Sequence, residues 1–214
     1  MATARSHVHV IDPDFRRRAS ISRELIRLDL HPEIYESVFE FGNQVPKSGM
    51  ILASDDSAQS GLPDLIEMLD ANGRRLPVAM YSNEPSPEKI VQAMLNGALD
   101  YLQWPFQPEL LHTAVERLHA EGKRRAEQDR RRARARALVE ALSPRELEVL
   151  SLVVLGNANK EIAEELGISP RTVEIHRSNM MRKLNARSTS DAVRVALYAG
   201  IDEELNPQGQ EIAA

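Results

Sequence analysis

The 214-residue chain has no cysteine. That excludes a disulfide framework, a thiolate nucleophile and a thiolate metal centre. No apolar run approaches the ~20 residues that a helix needs to cross a bilayer. The opening residues MATARSHVHVID pass directly into a strand-like stretch, so no cleavable leader is expected. These absences lead to the expectation of a reducing cytoplasm and no membrane partner. The net charge of −5 argues against nucleic acid as a partner for the chain taken whole, but the charge is unevenly spread. Residues 1–120 hold 11 basic and 17 acidic side chains, 121–142 hold 8 and 4, 143–200 hold 8 and 7, and 201–214 hold 0 and 4. An acidic first half, a basic joint and a mixed second half point to different partners for different segments.

The hydrophobic period switches repeatedly over residues 7–120. HVHVI (7–11) and EIYESV (33–38) read as strands, and MILAS (50–54), VAMYS (78–82) and LDYL (99–102) are compact apolar runs suited to buried parallel strands. Between them FRRRASISRELIRL (15–28), LPDLIEMLDANG (62–73) and SPEKIVQAMLNG (86–97) have helical spacing, and a further helix begins near Pro108. In the 86–97 segment, Ile90, Ala93, Met94 and Gly97 recur at helical intervals, with Ser86 as a cap and Pro87 in the first turn. Five strands alternating with five helices imply an α/β domain built on a doubly wound, five-stranded parallel sheet. The working crevice of such a sheet lies at the carboxyl ends of its strands. Those ends carry Asp12 and Asp14, Asp55 and Asp56, Ser82, and Gln103 with Trp104.

The set VIDPD, ILASD, PVAMYS and AMLNGALDYLQWPF resembles the receiver domain of response regulators, in flavodoxin-like strand order. The resemblance implies a phospho-acceptor at Asp55, switch positions at Ser82 and Tyr101, and a magnesium ion held by Asp12, Asp14 and Asp55. It also implies a histidine kinase or other partner protein at the receiver. Three departures stand in this one site. Trp104 occupies the place of the family's lysine, Pro13 interrupts the acidic pair, and the loop after Asp55 is short and lacks the family's Met-Pro step. Phosphoryl transfer to a carboxylate needs positive charge on the transferring oxygens. Lysine supplies a mobile point charge; an indole offers one neutral donor and an apolar body that packs. The expectation is a degenerate receiver that does not run the usual phosphorylation cycle and needs no cofactor. The alternative is a conventional regulator accepting phosphate on Asp55.

Residues 121–141 are Arg/Ala-rich and free of proline, a composition that favours helix. Leu110, Leu111, Ala114, Val115 and Leu118 form the apolar stripe of the helix before them, which would run on into this linker, although Gly122 weakens an unbroken helix. From residue 142 the pattern sharpens. Ser143, Pro144 and Glu146 form a capping box for a helix ending at Gly156. NKEIAEEL, the turn GIS and PRTVEIHRSNMMRKLN make a short helix, a glycine turn and a longer helix capped by Ser169, which is a helix-turn-helix. A fourth helix follows over residues 190–200, and 201–214 read as an unstructured acidic tail.

Sorted at 100° per residue, Val173, Met180 and Leu184 share the inner face of the 170–185 helix, with His176 at its edge. Arg171, Glu174, Ile175, Ser178 and Arg182 lie opposite, which suits a major groove ~12 Å wide. Arginine bonds guanine, glutamate accepts from cytosine and isoleucine meets the thymine methyl. Lys160, Thr172, Arg177, Lys183 and Arg187 stand where phosphates set register. His176 has no second metal ligand near it in sequence. No catalytic constellation is present in either half, so the chain is not expected to be an enzyme. The motifs LSPRELEVL and GNANKEIAEELGISPRTVEIHRSNMMRKL resemble the all-α, four-helix DNA-binding domain of the LuxR/FixJ/NarL type over residues 142–200. That resemblance implies double-stranded DNA as partner and a homodimer contacting through the last helix.

Overall fold

A computed structural model of the protein describes residues 6–56 and 61–201. The chain divides into two compact units, Met1–Ala126 and Glu127–Ala214, so the division falls inside the segment expected to join the halves. The expected tail beyond residue 201, and most of the loop that follows Asp55, lie outside the described residues.

The first unit is a sheet of five parallel strands in the order β2-β1-β3-β4-β5. The strands are β1 (His7–Ile11), β2 (His31–Tyr35), β3 (Met50–Ser54), β4 (Val78–Ser82) and β5 (Asp100–Gln103). The helices between them are α1 (Phe15–Arg27), α2 (Val38–Gly42), α3 (Leu62–Ala71) and α4 (Pro87–Leu95), and α5 (Pro108–Glu140) follows β5. Both faces of β3 and β4 are buried, which is why those runs are continuously apolar rather than alternating. Side chains alternate between two cores. Val8, Val10, Leu52 and Tyr81 meet Ile21, Leu25, Leu111 and Leu118 on one face. Ile11, Ile51, Ala53 and Met80 meet Phe41, Leu65 and Leu69 on the other. Gly49 enters β3 with φ +119°, and a Cβ there would lie 2.6 Å from the His9 Nε2. Only glycine fits that approach.

Several features of this unit differ from the sequence reading. β2 starts at His31 rather than Glu33, because its pairing with His7–Ile11, not local β propensity, sets its register. Pro32 is tolerated because β2 is an edge strand. The short α2 then follows, capped by Ser37, whose Oγ accepts from the Glu40 amide at 3.2 Å. In α4 the period is helical as expected, but of the apolar stripe only Ala93 is buried; Ile90 and Met94 face solvent. The helix meets the core through that small residue and Ala98 just beyond its end. α5 is unbroken through Gly122, where Glu121 pairs with Arg124 and Arg125 at 2.6 and 2.7 Å and holds the turn from outside. Leu110, expected inside, is exposed.

The second unit is all helical: α6 (Pro144–Val154), α7 (Asn159–Leu166), α8 (Pro170–Lys183) and α9 (Thr189–Ala199), joined by the last turns of α5. Their core is Val149, Leu150, Val153, Ile162, Val173, Met180, Leu184 and Ala196. The expected capping box closes α6: the Glu146 carboxylate accepts from the Ser143 amide at 2.7 Å, and Ser143 Oγ accepts from the Glu146 amide. Gly167 ends α7 in the left-handed conformation, φ +63°, and makes the turn of the motif. Among the described residues, no helix is long and apolar enough to cross a membrane.

Candidate functional site

Two sets of side chains stand out, one in each unit. In the second, α8 begins at Ser169, whose Oγ accepts from the Thr172 amide at 3.1 Å, with Pro170 in the first turn. Val173, Met180 and Leu184 are buried. Arg171, Glu174, Ile175, Ser178 and Arg182 are all exposed, so the five residues expected to face a groove form one solvent-facing stripe. Arg171 and Glu174 pair at 2.9 Å, and Arg182 donates to Asn179 Oδ1 at 3.1 Å. Ile175 presents an apolar side chain between them, 52% exposed.

The flanking cations divide into two kinds. Lys160 is exposed, with only a 4.0 Å approach to Glu164, and Arg187 is exposed as well. Arg177 is half-buried and donates to Asn159 Oδ1 at 2.9 Å and Thr189 Oγ1 at 3.1 Å, so it ties α8 to α7 and α9. Lys183 donates to Glu146 Oε2 at 2.6 Å. The Lys183 bond, then the Ser143 amide, lower the Glu146 carboxyl to about 2. Arg177 and Lys183 therefore fix the orientation of α8 as well as lying on its flank. Thr172 Oγ1 is 2.8 Å from Ser169 Oγ at the cap.

In the first unit, the carboxyl edge of the sheet is organised around a residue the sequence reading passed over. Asp12 is fully buried. Its carboxylate accepts from Arg17 Nε at 2.8 Å, Arg17 Nη2 at 3.0 Å, the Tyr81 hydroxyl at 2.6 Å and the Asp14 amide at 2.7 Å. The same guanidinium donates to Asp56 Oδ2 and, at 3.2 Å, to Ser54 Oγ. Burial works against the charge on Arg17, but Asp12 and Asp56 outweigh it and raise its pKa. Burial, then Asp12, push the Tyr81 phenol up. The signal for Arg17 was present in the sequence: it stands four and eight residues before Ile21 and Leu25, the other buried residues of α1. Three consecutive arginines hid which of them turns inward.

Asp14 is the N-cap of α1 and accepts from the Arg16 and Arg17 amides at 2.7 and 3.0 Å. Those amides, Arg17 first, lower its pKa. Asp55 lies apart, with its Oδ2 2.7 Å from the Tyr101 hydroxyl, which is itself 3.0 Å from Ser82 Oγ. The structure thus brings Asp55, Ser82 and Tyr101 together. It does not do so for the expected magnesium ligands: among the described residues, Asp12, Asp14 and Asp55 do not converge as an ion-holding group. A magnesium ion needs several open oxygen ligands near 2.1 Å. Here Asp12 is saturated by Arg17 and Tyr81, and Asp14 is committed to a helix cap, so these residues do not fit that ion. Trp104 packs edge-on against Phe106, with ring centres 4.9 Å apart, and Phe106 packs against Tyr81 at 5.3 Å. The Trp104–Pro105 peptide is cis.

Comparison with known proteins agrees with both halves. The family model "Bacterial regulatory proteins, luxR family" matches residues 140–196. The transcriptional regulatory protein FixJ of Azorhizobium caulinodans is 36% identical over 197 residues, covering 91% of this chain and 93% of that protein. FixJ of Bradyrhizobium diazoefficiens is 30% identical, covering 93% and 98%. Among solved structures, the response regulator StyR superimposes with a TM-score of 0.72 at 28% identity, covering 91% of this chain and 99% of that one. The chain belongs to the luxR family of bacterial regulatory proteins and is a two-domain response regulator of the FixJ type, a receiver fold followed by a helix-turn-helix DNA-binding domain.

Proposed function

We propose that the protein is a sequence-specific transcription regulator that acts in the cytoplasm as a homodimer on double-stranded DNA, with a receiver that controls dimerisation without aspartyl phosphorylation. The observation that carries the second part is Arg17. A resident guanidinium already neutralises Asp12 and Asp56, while Trp104 stands where an acyl phosphate would need a mobile cation. A protein partner or ligand at the receiver then supplies the input. On the DNA side, Arg171, Glu174, Ile175, Ser178 and Arg182 read base edges, and Lys160, Thr172, Arg177, Lys183 and Arg187 hold phosphates. The exposed stripe of α8 supports this division.

One observation favours a second reading. Asp55, Tyr101 and Ser82 keep a connected hydrogen-bonding arrangement, as a phospho-acceptor with its two switch residues would. Incubating the purified protein with acetyl phosphate or a histidine kinase separates the readings. The first predicts no acid-stable-protein label that disappears on Asp55→Ala; the second predicts a stoichiometric label that does.

A further inference from the structure

The amino end of the sheet, opposite the carboxyl edge that carries Asp12 and Asp55, gathers a different chemistry. In the β1–β2 register His7 lies opposite His31, and His9 opposite Glu33. All four side chains therefore share one side of the pleat. The His7 and His31 rings are 4.9 Å apart, and His7 Nδ1 is 2.6 Å from Glu33 Oε1. One nitrogen of each of these two histidines and one oxygen of Glu33 all lie within 4.8 Å of one another. Among the described residues no other group of three or more histidines and carboxylates converges in this way.

Glu33 is also held from behind. The Tyr35 hydroxyl donates to Glu33 Oε2 at 3.1 Å, and His9 Nδ1 lies 3.2 Å from the same oxygen. His9 is buried, with its Nε2 3.1 Å from the Ser48 carbonyl oxygen. One carboxylate oxygen is thus anchored while the other faces the two histidines. Outer partners of this kind orient metal ligands and are part of what makes a site.

We propose that His7, His31 and Glu33 bind a divalent late transition-metal ion, of the zinc or nickel class, across β1 and the edge strand β2. Two imidazoles and one carboxylate suit such ions, whereas magnesium takes an all-oxygen shell. Tetrahedral zinc with ligand bonds of about 2.0–2.1 Å spaces its ligand atoms about 3.4 Å apart. His31 is exposed and His7 half-exposed, so both rings are free to make the small adjustment, and water completes the coordination on the open side. The ion would clamp the two strands that α1 connects, at the end of β1 opposite Asp12.

The test is calorimetric titration of the full-length protein with zinc chloride and with nickel chloride, in a non-chelating buffer. Wild type binds one ion per chain. His31→Ala and Glu33→Gln each weaken binding by at least about tenfold, whereas His112→Ala on α5 leaves it unchanged, and magnesium chloride does not compete. Cobalt(II) d–d absorption follows the same pattern and reports the coordination geometry of the bound ion. No saturable binding by the wild type, or equal affinity in wild type and His31→Ala, overturns the proposal.

Discussion

Arg17 holds a fixed positive charge between Asp12 and Asp56, with about a twelfth of its surface open to solvent at 8%. Removing one member of a buried pair leaves the other charge uncompensated, at about 3–5 kcal/mol. Arg17→Ala is therefore expected to destabilise the first unit by that amount, measured by urea unfolding followed through Trp104 fluorescence. Glu146 is the counterpart in the second unit. Its folded pKa, about 2, lies below its ordinary 4.5. The stability it contributes is complete above pH 4.5 and is lost as pH falls through about 2. Glu146→Gln should cost about 2 kcal/mol at neutral pH, the range of a charge-assisted hydrogen bond, and the gap from wild type should close in acid. Trp104 was legible because it interrupts a motif. Arg17 was harder to single out, since its partners Asp12, Ser54 and Asp56 stand at the ends of β1 and β3, which only the fold brings together.

Among the elements, α8 was the most legible. Cap, glycine turn and apolar period all pointed to one orientation, and both its faces lie where the wheel put them. Double duty was invisible: nothing local says that Arg177 bonds Asn159 and Thr189, or that Lys183 bonds Glu146. This separates the mutational outcomes. Arg171→Ala and Arg182→Ala should each weaken binding to the cognate site by about 1–3 kcal/mol and relax sequence preference. Lys160→Ala should weaken all sequences alike and reduce the salt slope by about 1. Gel-shift titrations over a salt series on matched and scrambled sites read both. In α5, a Cβ on Gly122 would meet Pro77 Cγ at 3.5 Å, an ordinary contact. Gly122→Ala is expected to stabilise by about 0.5–1 kcal/mol through helix propensity, visible as a raised Tm. The sequence missed the start of β2 because strand pairing, not local preference, sets that boundary.

At the scale of the whole molecule, the chain joins a sheet with two cores to a helical unit with a third, through one helix of 33 residues. The periodicity of the sequence pointed to an α/β half followed by a helical half. What periodicity could not convey is that the sheet's acidic edge carries its own counter-charge, the Arg17 guanidinium beside Asp12 and Asp56. The most direct test is the affinity of the full-length protein for its selected DNA site, with and without acetyl phosphate and magnesium, in wild type and Asp55→Ala. The account predicts four affinities that agree within about twofold, under 0.5 kcal/mol. Tightening by tenfold or more in wild type with acetyl phosphate, absent from Asp55→Ala, would contradict it.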